Sequence, residues 1–504
     1  MKLFNTFIIA FSAVSLIACE DSKFDGLPPR LDEVQPEQPV GPGEETTSRD
    51  EQYRPQIHYT PSRNWINDPN GMVYADGVYH LYYQYNPQGH GWGNMSWGHA
   101  VSSDLIHWDE KDVAMVRNEW GDIFSGSAIV DKGNVAGFGN NAILAFYTAS
   151  GEHQQQCLAY STDGGMTFTQ YYGNPVIPNS ELADFRDPKV FWHEESQKWI
   201  MALALGWSHR IEFWGSENLK SWRRLSSFAS TSDRSNIGQW ECPDLVKLPY
   251  KDGEKWVLIV SNNPGGPVGG SGTEYFVGDF DGETFTAMDL DYPLWLDYGA
   301  DNYAGVTWSN MPDGRVVMIG WMNNWNYAEM VPASPWCSAM TLPRMLTLKE
   351  FNGQPVLATE VVREIDGIAG EWKVSSDGQI NVDDAYEAKF TVSLKESSSF
   401  KLSNSAGEYL EVSVNAGARK IIAKRTSATG EATFHDKFSI PSVSAPFNCD
   451  GDEMELHVFV DRSSVEIFNS DGTMALTNIV FPKDPYNIIS GVGDVSYREL
   501  KSIW

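Results

Sequence analysis

Val78-Tyr79-His80-Leu81-Tyr82-Tyr83-Gln84-Tyr85 is apolar or aromatic on both alternating faces, the pattern of a strand inside a layered β-structure. Similar runs recur at residues 142–148, 198–205, 255–260 and 315–321. With Tyr79, Ile143, Trp199, Trp256 and Val316 as markers, the intervals are 64, 56, 57 and 60 residues. Several runs are followed by a turn leading to one aromatic: Ser103-Asp104-Leu105 with Trp108, Ser161-Thr162-Asp163 with Phe168, and Ser216-Glu217-Asn218-Leu219 with Trp222. A period near 60 with several strands per period predicts a β-propeller of five blades over roughly 300 residues.

A polar motif precedes each run at a similar distance. These are Asn67-Asp68-Pro69-Asn70-Gly71, Phe124-Ser125-Gly126-Ser127, Phe185-Arg186-Asp187-Pro188, Glu241-Cys242-Pro243-Asp244 and Asp301-Asn302-Tyr303-Ala304-Gly305. Equal phase in a propeller means equal radial position. If that phase is the innermost strand, five motifs distant in sequence converge on one axial pocket. From residue 361 to 504 short strands alternate polar and apolar residues between Gly and Asn/Asp turns, predicting a β-sandwich. The expected fold class is all-β: a propeller over residues 56–360, then a C-terminal sandwich. The stretch Asp461-Arg462-Ser463-Ser464-Val465-Glu466-Ile467-Phe468 is assigned to packing.

Asp68, Asp187 and Glu241 sit in the converging motifs among Trp65, Phe185 and Trp240. A lone Asp beside Pro is usually a turn cap. Three acids at matching phase point instead to glycoside hydrolysis. That chemistry needs one protonated carboxyl to donate to the leaving oxygen and one ionised carboxylate to attack or to activate water. A third can oppose the positive charge of an oxocarbenium-like transition state.

Together the motifs resemble glycoside hydrolase family 32, the invertase, inulinase and levanase family. Trp65 to Gly71, Tyr83-Gln84-Tyr85-Asn86-Pro87, Trp97-Gly98-His99 and the motifs at 124–127, 185–190 and 241–245 follow in that family's order. The resemblance implies a five-bladed propeller followed by a sandwich, and retention of configuration. It implies that Asp68 attacks the anomeric carbon of a fructosyl unit, that Glu241 is the acid and then the base, and that Asp187 stabilises the transition state. Asn67, Gln84, Trp92, Phe124, Ser125, Arg186 and Trp321 would bind substrate. Ile66 replaces the family's commoner Met, and Cys337 stands where Arg is expected, which affects a surrounding contact rather than the chemistry.

The stretches 91–99, 296–305 and 320–325 resemble exo-acting inulinases. Trp92, Trp321 and Trp325 would close the far side of a one-residue pocket, favouring release of terminal fructose from levan or inulin, with sucrose as a minor substrate. A fructosyltransferase would share the same catalytic residues, and an endo-acting enzyme would need an open groove. A non-catalytic glycan-binding lipoprotein does not need three acids, and an arabinan-cleaving propeller lacks the 67–70 and 241–244 motifs.

The chain has 504 residues with 37 basic and 67 acidic side chains, a formal charge of −30 that disfavours nucleic acid or an anionic membrane surface as main partner. Residues 7–18 form an apolar run broken by Ser12 and Ser15, too short to span a bilayer. It reads as a signal peptide over residues 1–18, and Leu16-Ile17-Ala18-Cys19 resembles a bacterial lipobox, implying lipidation of Cys19. Residues 20–55 carry six prolines, ten acidic and four basic side chains, so 19–55 is expected to be an unfolded tether. The expected location is therefore a membrane-anchored exported lipoprotein facing the periplasm or the cell surface. Cys157, Cys242, Cys337 and Cys449 form no C-x-x-C pair and are expected to be buried apolar residues; neither metal nor cofactor is indicated.

Overall fold

The computed structural model describes residues 48–504. The expected signal peptide, Cys19 and the expected tether up to residue 47 lie outside the described residues. Residues 49–55, expected in the tether, belong to the fold. Arg54 is fully buried, its guanidinium bonded to Glu51, Thr60 and Pro61 O and lying 3.8 Å from the Trp336 ring centre. Arg49 covers the Trp504 ring at 4.0 Å and bonds Glu110. Composition marked this segment as unfoldable because the surfaces that hold it, Trp336 under Arg54 and Glu110 and Trp504 at Arg49, are distant in sequence.

Five antiparallel blades of four main strands follow. Their first strands are Asn64–Ala75, Asp122–Asp131, Phe185–His193, Gln239–Tyr250 and Tyr303–Thr307. Each is adjacent to the next, and the fifth to the first, so the five form a closed inner ring. The apolar runs become the second strands, buried on both sides between neighbouring blades. The ring also closes through parallel pairing of Asn64 and Trp65 with Trp336 and Cys337. In the first three blades an Asx turn leads to the fourth strand, with Asp104, Asp163 and Asn218 accepting from backbone N–H groups two to four residues ahead.

Every first strand carries a bulge at the same height. Asn67 and Asp68 together oppose Gln84, and Phe124 and Ser125 oppose Thr148. Asp187 and Pro188 oppose Leu203, Cys242 and Pro243 oppose Val260, and Ala304 and Gly305 oppose Gly320. A bulge places two residues against one and re-aims their side chains, and it tolerates proline because the ladder is already interrupted. The bulges accommodate Pro188 and Pro243, and Asp187, Cys242 and Ala304 adopt positive φ values of 64°, 47° and 53° there.

The sandwich packs a six-stranded sheet on a five-stranded one around a core that includes Tyr386, Phe390, Phe400, Leu456 and Val458. The opposite face of the larger sheet meets the propeller through Phe459 and Phe468 against Ile57, Tyr59 and Leu342. The 461–468 stretch does pack, and it does so through charge as well. His58 lies between Asp461 Oδ2 at 2.8 Å and Glu466 Oε1 at 3.0 Å, and Arg344 bridges Glu466 (2.9 Å) to Asp297 (2.8 Å), all fully buried. Arg425 from the sandwich meets Asp301 at 2.5 Å. Within the 296–305 stretch, which resembles exo-acting inulinases, Asp297 and Asp301 therefore hold the sandwich.

Candidate active site

The bulges converge on a pocket of about 450 Å³ lined by Asn67, Asp68, Gln84, Trp92, Phe124, Ser125, Arg186, Asp187, Glu241 and Trp325, among others. That is the size of a small-molecule site. Deeper along the axis, Lys189 Nζ bonds Asp244 Oδ2 and Thr307 O, both at 2.8 Å, so a buried ion pair plugs the channel below the acids.

Asp68 Oδ1 accepts from Asn67 Nδ2 at 3.0 Å, and its Oδ2 from Ser125 Oγ at 2.6 Å and Cys242 Sγ at 3.3 Å. Asn67 is itself held by Trp65 Nε1 at 2.8 Å. The backbone N–H of Cys242 donates to Asp187 Oδ2 at 2.8 Å, and the N–H of Asp187 donates to Thr148 Oγ1 at 2.9 Å. Arg186 pairs with Glu241 Oε1 at 3.0 Å and Asp184 at 3.3 Å, and Tyr303 donates its hydroxyl to Glu241 Oε2. Gln84 Nε2 bonds Asn70 Oδ1 (2.8 Å) and Ile123 O (2.9 Å), tying blade 1 to blade 2. The acids thus share one fixed network with residues from all five blades.

Burial pushes the Glu241 carboxyl up, against the pull of Arg186 and with the push of Asp68. Asp187 is pushed up to about 7, burial again leading, with Arg186 lowering it and Glu241 and Asp68 raising it. The Cys242 thiol is driven well above its usual range by burial and the three surrounding carboxylates, so it donates to Asp68 as a neutral thiol. Cys242 is part of the site, not simply an apolar filler, and Cys449 is only half-buried; Cys157 and Cys337 are buried as expected.

Trp321 requires a correction. It was expected to line the subsite but is fully buried, its ring 5.8 Å from Trp65 and 4.9 Å from Trp325. Trp325 forms the wall and Trp321 backs it. Trp92 stands at the mouth, 46% exposed, edge-on to Phe124 at 6.1 Å, with its backbone N–H held by Glu329 at 3.0 Å. Cys337, in place of the expected Arg, is buried and donates to Ala328 O at 3.3 Å.

Sequence reasoning assigned no role to Tyr303, although it lies in the fifth motif at the same phase as the acids. That phase was the available signal. Thr148 and Asp184 carried none, because each acts through a partner that only folding supplies.

A sugar-sized pocket that gathers three carboxyl groups in one hydrogen-bonded network is the arrangement glycoside hydrolysis requires. The family descriptions "Glycosyl hydrolases family 32 N-terminal domain" and "Glycosyl hydrolases family 32 C terminal" match residues 58–359 and 366–502, and the chain belongs to that family. It is 46% identical over 488 residues to the levanase of Bacillus subtilis (strain 168), covering 90% of this chain and 71% of that protein. It is 40% identical over 494 residues to the extracellular exo-inulinase of Aspergillus awamori, covering 86% and 90%. The crystal structure of exo-inulinase from Aspergillus awamori superposes with a TM-score of 0.83 at 36% identity, covering 91% of this chain and 100% of that one.

Proposed function

We propose that this enzyme releases terminal fructose from fructans by double displacement with retained configuration, and accepts sucrose as a minor substrate. Asp68 attacks the anomeric carbon while Glu241 passes its proton to the departing glycosidic oxygen. Water then loses a proton to Glu241 and its oxygen displaces Asp68, which leaves both groups as they began. Asp187 holds sugar hydroxyls and opposes the positive charge that develops on the ring. The observation that carries this reading is the bonding of Cys242 to both Asp68 and Asp187 beside Glu241 at one pocket. The upward push on Glu241 supports its part as proton donor. The Trp325 wall and Trp92 at the rim support terminal cleavage.

Chromatography of early products from levan and from inulin tests it. Fructose alone is expected, and a ladder of oligosaccharides would overturn exo action. Asp68→Ala and Glu241→Ala should each lower kcat by about a thousandfold or more with unchanged melting; near-normal rates in either would reject its role. The lipobox-like stretch supports anchoring to a bacterial membrane through Cys19. Cys19→Ala should move the protein from the membrane to the soluble fraction, and unchanged fractionation would reject the anchor.

A further inference from the structure

A second pocket, of about 470 Å³, opens on the sandwich and shares no residue with the catalytic one. Alternation along Ala385–Ser393 sends Tyr386, Ala388, Phe390 and Val392 into the core and leaves Lys389 and Thr391 on the outer face. In register with them stand His457 and Ser496 opposite Lys389, and Glu455 opposite Thr391. At the sheet edge Trp372 lines the pocket and is 42% exposed.

The Trp372 ring centre lies 4.7 Å from both Lys389 Nζ and Arg498 Cζ, so two cations hold the indole in place. Arg498 is paired in turn with Asp366 at 2.7 Å and Glu387 at 2.5 Å, while burial lowers His457, so its 3.2 Å contact with Glu455 is a hydrogen bond rather than an ion pair. A pre-positioned aromatic surface costs little further entropy when a ligand covers it. The cations beside the indole are already engaged with Glu387 and Asp366, and Glu455 and Asp494 line the pocket as hydrogen-bond acceptors, so it suits a neutral, hydroxyl-rich partner. An apolar partner would strip water from Lys389 and Glu455 without replacing its hydrogen bonds. A sugar chain meets both demands, since its C–H faces cover the indole and its hydroxyls bond the carboxylates and Thr391.

We propose that this pocket is a second, non-catalytic binding site for a fructan chain, which keeps long substrates near the catalytic pocket. It rests on the fructan reading of the enzyme. The first measurement is KM, using full-length protein with Trp372→Ala and, separately, with Thr391→Arg, which blocks the pocket without altering the indole. KM should rise about tenfold on levan or inulin, the polymer losing its second attachment, and stay unchanged on a fructan trisaccharide. Parent-like KM on the polymer in both variants, or an equal change on the trisaccharide, would overturn the proposal.

The second measurement is gel retardation by levan, inulin or mannan, in the inactive Asp68→Asn background with trisaccharide filling the catalytic pocket. Retardation by fructan that either added substitution abolishes supports the site. Absence of retardation by either fructan, or equal retardation by mannan, overturns it. Failure of the catalytic reading shows itself separately, as a parent enzyme that frees no fructose from either polymer, and retardation still decides the second site.

Discussion

Arg186 holds its Nη2 3.0 Å from Glu241 Oε1, so the one cation lining the pocket among the described residues sits on the carboxyl assigned to proton donation. The contact lowers Glu241 and Asp187 against the upward push of burial. A donor must be protonated, so activity falls as pH rises through its pKa. Arg186→Gln should therefore move the alkaline limb of kcat/KM to higher pH while cutting the maximum at least about tenfold. A limb that stays in place or moves down would show that Arg186 does not set the donor.

Tyr303 approaches Glu241 from the other side, and its hydroxyl bond also lowers that carboxyl. Tyr303→Phe should raise the alkaline limb and lower kcat by about tenfold, with KM nearly unchanged, since the bond orients a proton donor rather than binding sugar. A change confined to KM would place Tyr303 among the substrate contacts.

Trp325 and Trp321 touch each other, yet their substitutions should behave differently. Trp325→Ala removes a wall of the pocket and should raise KM about tenfold with a small loss of stability. Trp321→Ala empties a fully buried site and should cost about 3–5 kcal/mol in chemical unfolding. Equal stability losses in the two would contradict the arrangement.

His58 ties the domains together in a pH-dependent way. Burial opposes its charge, but Asp461 and Glu466 outweigh it and hold it at about 9, while Arg344 and His58 bring Glu466 down to about 2 against the same burial. The raised His58 value means its stabilisation is complete below about 6.5, the unfolded value, and is lost as pH climbs to about 9. The loss is on the order of 3 kcal/mol. The Glu466 contribution is complete above about 4.5 and disappears as pH falls towards 2. Unfolding free energies of the parent and His58→Gln between pH 6 and 9.5 check this. The parent curve should fall more steeply, and parallel curves would dismiss the linkage; the active-site acids titrate in both proteins and cancel in the difference.

The five-fold period was legible because each second strand is buried on both faces, and burial of that kind writes itself into local sequence as a continuous apolar run. The motifs were legible for a related reason. Polar groups such as Asn67-Asp68, Arg186-Asp187 and Glu241-Cys242 stand out beside apolar runs, so their recurrence at one phase marked a feature before its form was known. The form is the bulge, and a bulge is a relation between two strands that a one-dimensional pattern does not contain.

By itself, the order of residues determined the propeller, the sandwich and the three acids, since periodicity and motif chemistry are local properties. Only the tertiary structure decided which neighbours the side chains meet. Trp325 rather than Trp321 faces the pocket, Asp297 and Asp301 hold the sandwich, Tyr303 reaches Glu241, and Arg49 and Arg54 fasten a segment that composition marked as loose. Both tryptophans are large and apolar, and all these aspartates are acidic, so residue type cannot separate them. The separation comes from packing and from charges that folding brings together, whose strength depends on distance and burial rather than position in the chain.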